Sequence, residues 1–294
     1  MGVTHNLILG GGGASLPTIL NVTVSGSTAT AVTASLGSRS VALSYDSTSD
    51  YWTAALPKGL TGNWTITATD GEKTASDLVA ISGPGVWSVG IALSRLPSGY
   101  TELEYIQSSG AQLINTGLFA RPNYKIAVSF RINDTVNPLD GTIIGANGGS
   151  PTNTSVYYLG HNLNSPFYGF YIGYSSKWHE ITNIAQAGDT YAIEVSLRSQ
   201  SQTAIINGET KLSTADSIGA TSSVPLYLFG RGTSHFACIA LYYLDIYDLS
   251  SNGALVRSFV PARNANDAIG LYDLINNVFY SSTTSTPFIA GPEV

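Results

Sequence analysis

Asn63-Trp64-Thr65-Ile66-Thr67-Ala68-Thr69-Asp70-Gly71 is the stretch that decides the fold class. Trp64, Ile66 and Ala68 alternate with Thr65, Thr67 and Thr69, and a period of two sends the apolar set to one face of a strand. Asp70-Gly71 follows as a tight hairpin signal, since both residues tolerate positive φ. The same texture extends in both directions. Upstream lie Ile19–Val24, Thr28–Ser35, Ser40–Tyr45 and Tyr51–Leu56; downstream lie Lys73–Ile81 and Val86–Leu93. Ser25-Gly26-Ser27, Leu36-Gly37-Ser38, Asp46 to Asp50 and Pro57-Lys58-Gly59 separate them with turn chemistry.

Short strands at this spacing predict an immunoglobulin-like β-sandwich over residues 16–93, with Trp52 and Trp64 in its core. Residues 1–15 hold Leu7-Ile8-Leu9 and then four glycines, Gly10 to Gly13. A glycine run specifies no regular structure, so this segment is expected to be a flexible attachment arm. Ser94 to Gly99 reads as a hinge, and residues 94–294 as a second domain. Its strand-length runs include Tyr124–Ile132, Gly141–Ala146, Val156–Gly160, Phe167–Tyr174, Thr190–Leu197, Gln202–Ile206, Leu226–Gly230 and Ile239–Tyr247. Ile206-Asn207-Gly208-Glu209 carries a second tight hairpin turn. Asn264–Ala268 is the best helical candidate, and it is short.

Composition narrows the function. Of 294 residues, 43% are hydrophobic, enough to fill two cores, while only 11% are charged. The net charge is −6 and no Lys/Arg-rich stretch exists, so nucleic acid is not an expected partner. No apolar run reaches membrane-spanning length, so membrane insertion is not expected. Cys238 is the single cysteine and is expected to be a buried, inert thiol. Met1 to Asn6 lacks the basic and apolar regions of a secretory signal, so folding in a cytoplasm is expected.

Two resemblances add to this. The Asn63–Gly71 hairpin is similar to the "G-x-W-x-V-T-A-T-D-G" hairpin of bacterial immunoglobulin-like domains. Ser94-Arg95-Leu96-Pro97-Ser98-Gly99-Tyr100, Leu103-Glu104-Tyr105-Ile106, Ser108, Gly110, Gln112, Ile114 and Thr116-Gly117 resemble the opening "L-P-x-G-Y-x-x-L-E-Y-I-x-S-x-G-x-Q-x-I-x-T-G" of a laminin-G-like family. Ile246-Tyr247-Asp248, Leu255 to Arg263 and Gly270-Leu271-Tyr272-Asp273 resemble its closing "I-Y-D…L-V-R-x-F-V-P-A-R…G-L-Y-D". That family occurs in Firmicutes phage virion proteins, prophage tail regions and bacterial surface proteins. The resemblance implies a concanavalin-type jelly-roll sandwich and an adhesive role. It points to a virion-surface protein, in a tail, receptor-binding, head-fibre or decoration position. Such a protein would hold capsid or tail proteins through its N-terminal segment, bind a host cell-surface glycan and self-associate. A bacterial cell-surface adhesin is the alternative, and a glycoside hydrolase a weaker one.

The residues argue against catalysis. Retaining hydrolases on such sandwiches need two carboxylates close together on one strand. Tyr243-Leu244-Asp245-Ile246-Tyr247-Asp248 approaches that spacing but starts with tyrosine. Glu102 and Glu104 are expected on one face, yet both belong to the opening motif. The histidines His5, His161, His179 and His235 sit in different elements with no nucleophile elbow nearby. Calcium is the one cofactor left open, with Asn133, Asp134, Asn137 and Asp140 as its oxygen donors. Sugar recognition uses aromatic faces beside amides and carboxylates. Residues 157–179 are rich in these, and Trp178 and His179 are expected in a loop after Ser175-Ser176-Lys177. The expected ligand contacts are Trp178, His179, Tyr174, Asn162 and, from Gly230-Arg231-Gly232, Arg231.

Overall fold

The computed structural model describes residues 5–6, 17–26, 28–71, 73–133, 140–147, 155–174, 177–216, 224–232 and 234–294, with backbone alone at 5–6, 147, 155–158, 174 and 178. The chain divides into two compact units, Met1–Pro97 and Ser98–Val294. Both are all-β, and the described residues contain no helix.

The first unit contains β1 (His5–Asn6), β2 (Thr18–Gly26), β3 (Ala31–Leu36), β4 (Arg39–Ala42), β5 (Ser44–Asp46), β6 (Tyr51–Leu56), β7 (Gly62–Thr69), β8 (Thr74–Ile81) and β9 (Gly85–Leu93). They form two sheets, β1-β9-β2-β6-β5 and β4-β3-β7-β8, with β2 and β9 parallel. The alternation in β7 does what its period predicts: Trp64, Ile66 and Ala68 are fully buried. They pack with Leu20, Val22, Val32, Val79 and Ile91, and Trp52 lies against the same core.

Three local expectations need correction. The run Ser40–Tyr45 is two strands, because the chain leaves one sheet for the other at buried Leu43, whose amide bonds Val32 O at 2.9 Å. Asp70-Gly71 lies in a four-residue connection, with Thr69 paired to Thr74. Asp70 Oδ1 accepts the Lys73 amide at 2.7 Å, so the aspartate side chain closes that turn. Within the attachment arm, His5 and Asn6 pair antiparallel with Trp87 and Val86, adding an edge strand. Residues 7–15 lie outside the described ones.

The second unit contains β10 (Tyr100–Glu102), β11 (Ile106–Gln107), β12 (Ile114–Phe119), β13 (Tyr124–Ile132), β14 (Asp140–Asn147), β15 (Ser155–Asn162), β16 (Gly169–Tyr174), β17 (Lys177–Ile181), β18 (Thr190–Arg198), β19 (Ser201–Ile206), β20 (Glu209–Thr214), β21 (Pro225–Leu228), β22 (Ile239–Asp248), β23 (Ala254–Asn264), β24 (Ile269–Asp273), β25 (Val278–Ser281) and β26 (Ile289–Ala290). One sheet runs β20-β19-β18-β13-β22-β23-β24-β25, joined by β10, β11 and β26; the other runs β12-β21-β14-β15-β16-β17. Their apolar faces share one core, with Ile126, Val128 and Val195 of the first sheet packed in the same cluster as Ile144, Leu159 and Ile172 of the second. Phe130, Phe170 and Tyr191 form an aromatic triad in that core, with centroids 5.0–6.1 Å apart. Asn207-Gly208 is the two-residue turn its sequence predicts, with φ of 50° and 82° and Ile206 paired to Glu209.

The opening and closing motifs meet. β10 pairs with β23, β11 pairs with both β22 and β26, and Leu103 bridges Glu293. The Gln112 amide donates to Pro287 O at 2.7 Å, and Tyr100 packs on Tyr272 at 4.8 Å. Asp273, fully buried, accepts bonds from the Ser258 and Ile275 amides and from Asn276 Nδ2, and pairs with Arg257 at 3.3 Å. The expected helical turn at Asn264–Ala268 is instead an Asn-capped loop, in which Asn264 Oδ1 accepts the amides of Asn266 and Ala268.

His161 in β15 is fully buried, and among the described residues neither ring nitrogen has a hydrogen-bond partner. Burial pushes its pKa down to about 4, against the opposing pull of Asp140.

Candidate functional site

A concavity of the second unit lies beside the β16–β17 pair. In β16–β17, Tyr174 pairs with Lys177 and Phe170 with Ile181. Continued two residues past Phe170, that register brings Tyr168 opposite Asn183. Here the ladder gives way to two loops laced by backbone bonds: Asn183 N donates to Phe167 O at 3.0 Å, and Ile184 N and Ala185 N both donate to Tyr168 O at 2.9 Å. Gly169 permits this approach, because a Cβ there would stand 1.9 Å from Ile181 O.

Asn162 pins the first loop from below. Its Oδ1 accepts the backbone amide and the Nδ2 of Asn164, both at 2.8 Å, and its own Nδ2 donates to Tyr171 Oη at 3.2 Å. Phe167 and Tyr171 stack face to face, 4.4 Å apart at 10°. Tyr168 is thereby held at φ 41°, a left-handed conformation that costs a bulky residue about 1–2 kcal/mol. Its side chain is 43% exposed. An exposed aromatic ring in a strained, multiply anchored backbone is the kind of outlier that points to a functional surface.

The opposite wall is polar. The Gln186 amide donates to Tyr191 Oη at 2.9 Å, and the Tyr191 hydroxyl donates to Asp189 Oδ2 at 3.3 Å. Burial pushes the Tyr191 hydroxyl above its ordinary pKa, which keeps that donor protonated. The groove encloses about 510 Å³ between Tyr168, Asn183, Ile184, Ala185, Gln186 and Asp189. Asn183, Gln186 and Asp189 are exposed. An aromatic face beside two amides and a carboxylate can stack on the apolar side of a sugar ring while bonding its hydroxyls.

The sequence-expected contacts are not among the residues that line this groove. Trp178 and His179 sit in β17, paired with Gly173 and Ile172, and not in the loop expected for them. The physical reason is the pairing of β17 back onto β16, which continues up to Tyr174 opposite Lys177. The side chains of Trp178 and Tyr174 lie outside the described ones. His179 Nε2 lies 2.8 Å from Asp216 Oδ2, an internal partner. Asn162 is occupied in holding the loop. Arg231 bridges Ser234 across a turn and places Nη2 2.9 Å from His235 Nε2.

Of the expected calcium donors, Asp134 and Asn137 lie outside the described residues. Asn133 is buried, donating to Ser108 O at 2.9 Å and to Cys238 Sγ at 3.3 Å, and Asp140 stands in β14 opposite Asn162. Among the described residues no three His, Cys, Asp or Glu side chains cluster as a metal site.

The carboxylate pairs are split. In β22 Asp248 is buried on the face of Leu244 and Ile246, whereas Asp245 is on the outer face with Tyr243 and Tyr247. Asp248 is further tied to Arg121 at 2.6 Å, to Ser250 and to Ser251. Glu102 and Glu104 do not share a face as expected: β10 ends at Glu102, which is buried, while Glu104 is exposed.

Tyr168 lies in the aromatic-rich stretch 157–179 but is not among the expected contacts, and Asn183, Gln186 and Asp189 lie beyond that stretch. The β16–β17 register is what sets Tyr168 opposite Asn183.

No protein-family model matches the chain, and no curated protein does. Among solved structures, a putative carbohydrate binding protein from Bacteroides ovatus ATCC 8483 aligns at 11% identity over 96% of this chain and 83% of its own, with a TM-score of 0.48. The full extracellular region of zebrafish Gpr126/Adgrg6 aligns at 11% identity over 94% of this chain and 38% of its own, with a TM-score of 0.38.

Proposed function

We propose that this chain is a non-catalytic glycan-binding protein whose sugar ligand docks in the Tyr168 groove. The observation that carries this reading is the exposed, backbone-anchored Tyr168 ring facing Asn183, Gln186 and Asp189 across one open groove. The separation of Asp245 from Asp248 onto opposite faces of β22 supports binding over hydrolysis, because retaining chemistry needs both carboxylates at one bond.

The finer proposal places the protein on a phage virion, where it grips host cell-surface glycans in many copies and gains avidity from their number. The laminin-G-like opening and closing motifs support this, as does a cysteine content that allows no intrachain disulfide. Attachment to capsid or tail proteins and self-association belong to the same proposal.

The test is co-sedimentation of the full chain with purified Firmicutes cell walls, alongside a reducing-end assay. The protein should pellet with the walls, be released by soluble oligosaccharides from the same walls, and liberate no new reducing ends. Failure to pellet would remove the glycan-binding reading, and steady release of reducing ends would make it an enzyme.

A further inference from the structure

The first unit has a concavity of its own, with different chemistry. About 410 Å³ is enclosed by Val24, Gly26, Thr28, Ala29, Tyr45, Asp50 and Trp52. Val24, Ala29 and Trp52 are also packed against the unit's core, so they form an apolar floor. Tyr45 of β5 lies directly opposite Trp52 of β6 in the antiparallel ladder. Their rings stand 5.5 Å apart, tilted by 51°, and Tyr45 is 52% exposed. The two faces thus open as a corner rather than a closed stack.

A carboxylate is fixed at the rim of that corner. Asp50 is held at φ 56° at the end of the turn joining the two strands, and its Oδ1 accepts the Tyr45 hydroxyl at 2.7 Å. Asp46 locks the turn by accepting Thr48 N at 3.0 Å and the Ser49 hydroxyl at 2.9 Å. The hydrogen bond to Asp50, then burial, then the charges of Asp50 and Asp46 hold the Tyr45 hydroxyl above its ordinary pKa. No Lys or Arg lines the concavity, and Asp50 has no cationic partner among the described residues.

We infer that the Tyr45–Trp52 corner binds an organic ammonium cation of the trimethylammonium class, with Asp50 as its counter-charge. Such a cation is apolar in shape and diffuse in charge, so it meets aromatic faces and a carboxylate at once. A neutral sugar is a poorer match. The lining offers it the Thr28 hydroxyl, a Tyr45 hydroxyl already donating to Asp50, and a carboxylate with one oxygen already engaged. A neutral apolar ligand is poorer still, because it would strip water from Asp50 and return nothing. The pocket is preorganised: the Tyr45–Asp50 bond and the Asp46 turn fix ring and charge before any ligand arrives.

The test is calorimetric titration of the full chain with choline chloride and, separately, with 3,3-dimethylbutan-1-ol, its neutral carbon isostere. Choline should bind saturably at one site per chain, with the isostere at least about tenfold weaker. Asp50→Asn should weaken choline about tenfold and leave the isostere unchanged. Tyr45→Phe, which keeps the ring, should retain more affinity than Tyr45→Ala. Unchanged thermal melts for these surface variants would show that they remain folded. Absence of choline binding by the native chain, equal affinity for choline and its isostere, or native-like choline binding in Asp50→Asn would each overturn the inference.

Discussion

The seam that closes the second unit and the groove beside Tyr168 are built from similar residues and do opposite things with them. In the seam, polar groups are consumed. Asp273 accepts three hydrogen bonds and an ion pair, and Gln112 and Ser108 bond across long stretches of chain to Pro287 and Ala237. In the groove, Asn183, Gln186 and Asp189 remain exposed, although Asp189 accepts the Tyr191 hydroxyl, and the backbone beneath them takes most of the bonds. Spent polarity stabilises a fold, and polarity left facing a shaped groove can serve a ligand.

The largest effect should come from breaking the seam. Asp273→Ala leaves the Arg257 charge and three donors without their acceptor, and should cost about 3–5 kcal/mol in urea denaturation of the second unit. Acid should come next, through buried His161 of β15. Its folded value of about 4 lies below the ordinary 6.5, so the unfolded chain takes up its proton first. Stability from this group is complete above pH 6.5 and is lost as pH falls towards 4, by about 3 kcal/mol. Urea midpoints across that range should fall, and His161→Leu should flatten the decline.

The groove itself should respond in affinity and hardly in stability. Tyr168→Gly should relieve the left-handed strain and raise stability by about 1 kcal/mol, while glycan affinity drops about tenfold with the lost stacking. The smallest effect belongs to the exposed rim of the seam. Arg263 and Glu293 meet at 2.7 Å, but Glu293→Gln should change stability by at most about 0.5 kcal/mol, and less still at high salt.

The same contrast explains what was legible in the sequence. Trp64, Ile66 and Ala68 announce a buried face because burial acts residue by residue along a strand. The motifs at the two ends of the second unit are recognisable because they are structural, paired with each other across β10–β23 and β11–β26. Ser40–Tyr45 read as one strand because alternation carries no mark of a change of sheet. The groove was illegible for a related reason. Tyr168 and Asn183 meet only through the register of β16 with β17, and the sequence between these strands holds no Asn-Gly or Asp-Gly pair to declare that pairing. With that pairing unseen, Trp178 and His179 passed for loop residues.

The central claim is that glycan recognition belongs to the Tyr168 groove and not to the neighbouring edge strand. The most direct measurement is a side-by-side titration of the native chain, Tyr168→Ala and Trp178→Ala against immobilised cell-wall polysaccharide. The account predicts an affinity loss of about tenfold for Tyr168→Ala with native-like melting, and near-native binding for Trp178→Ala. Native-like binding by Tyr168→Ala, with the loss falling on Trp178→Ala instead, would contradict it.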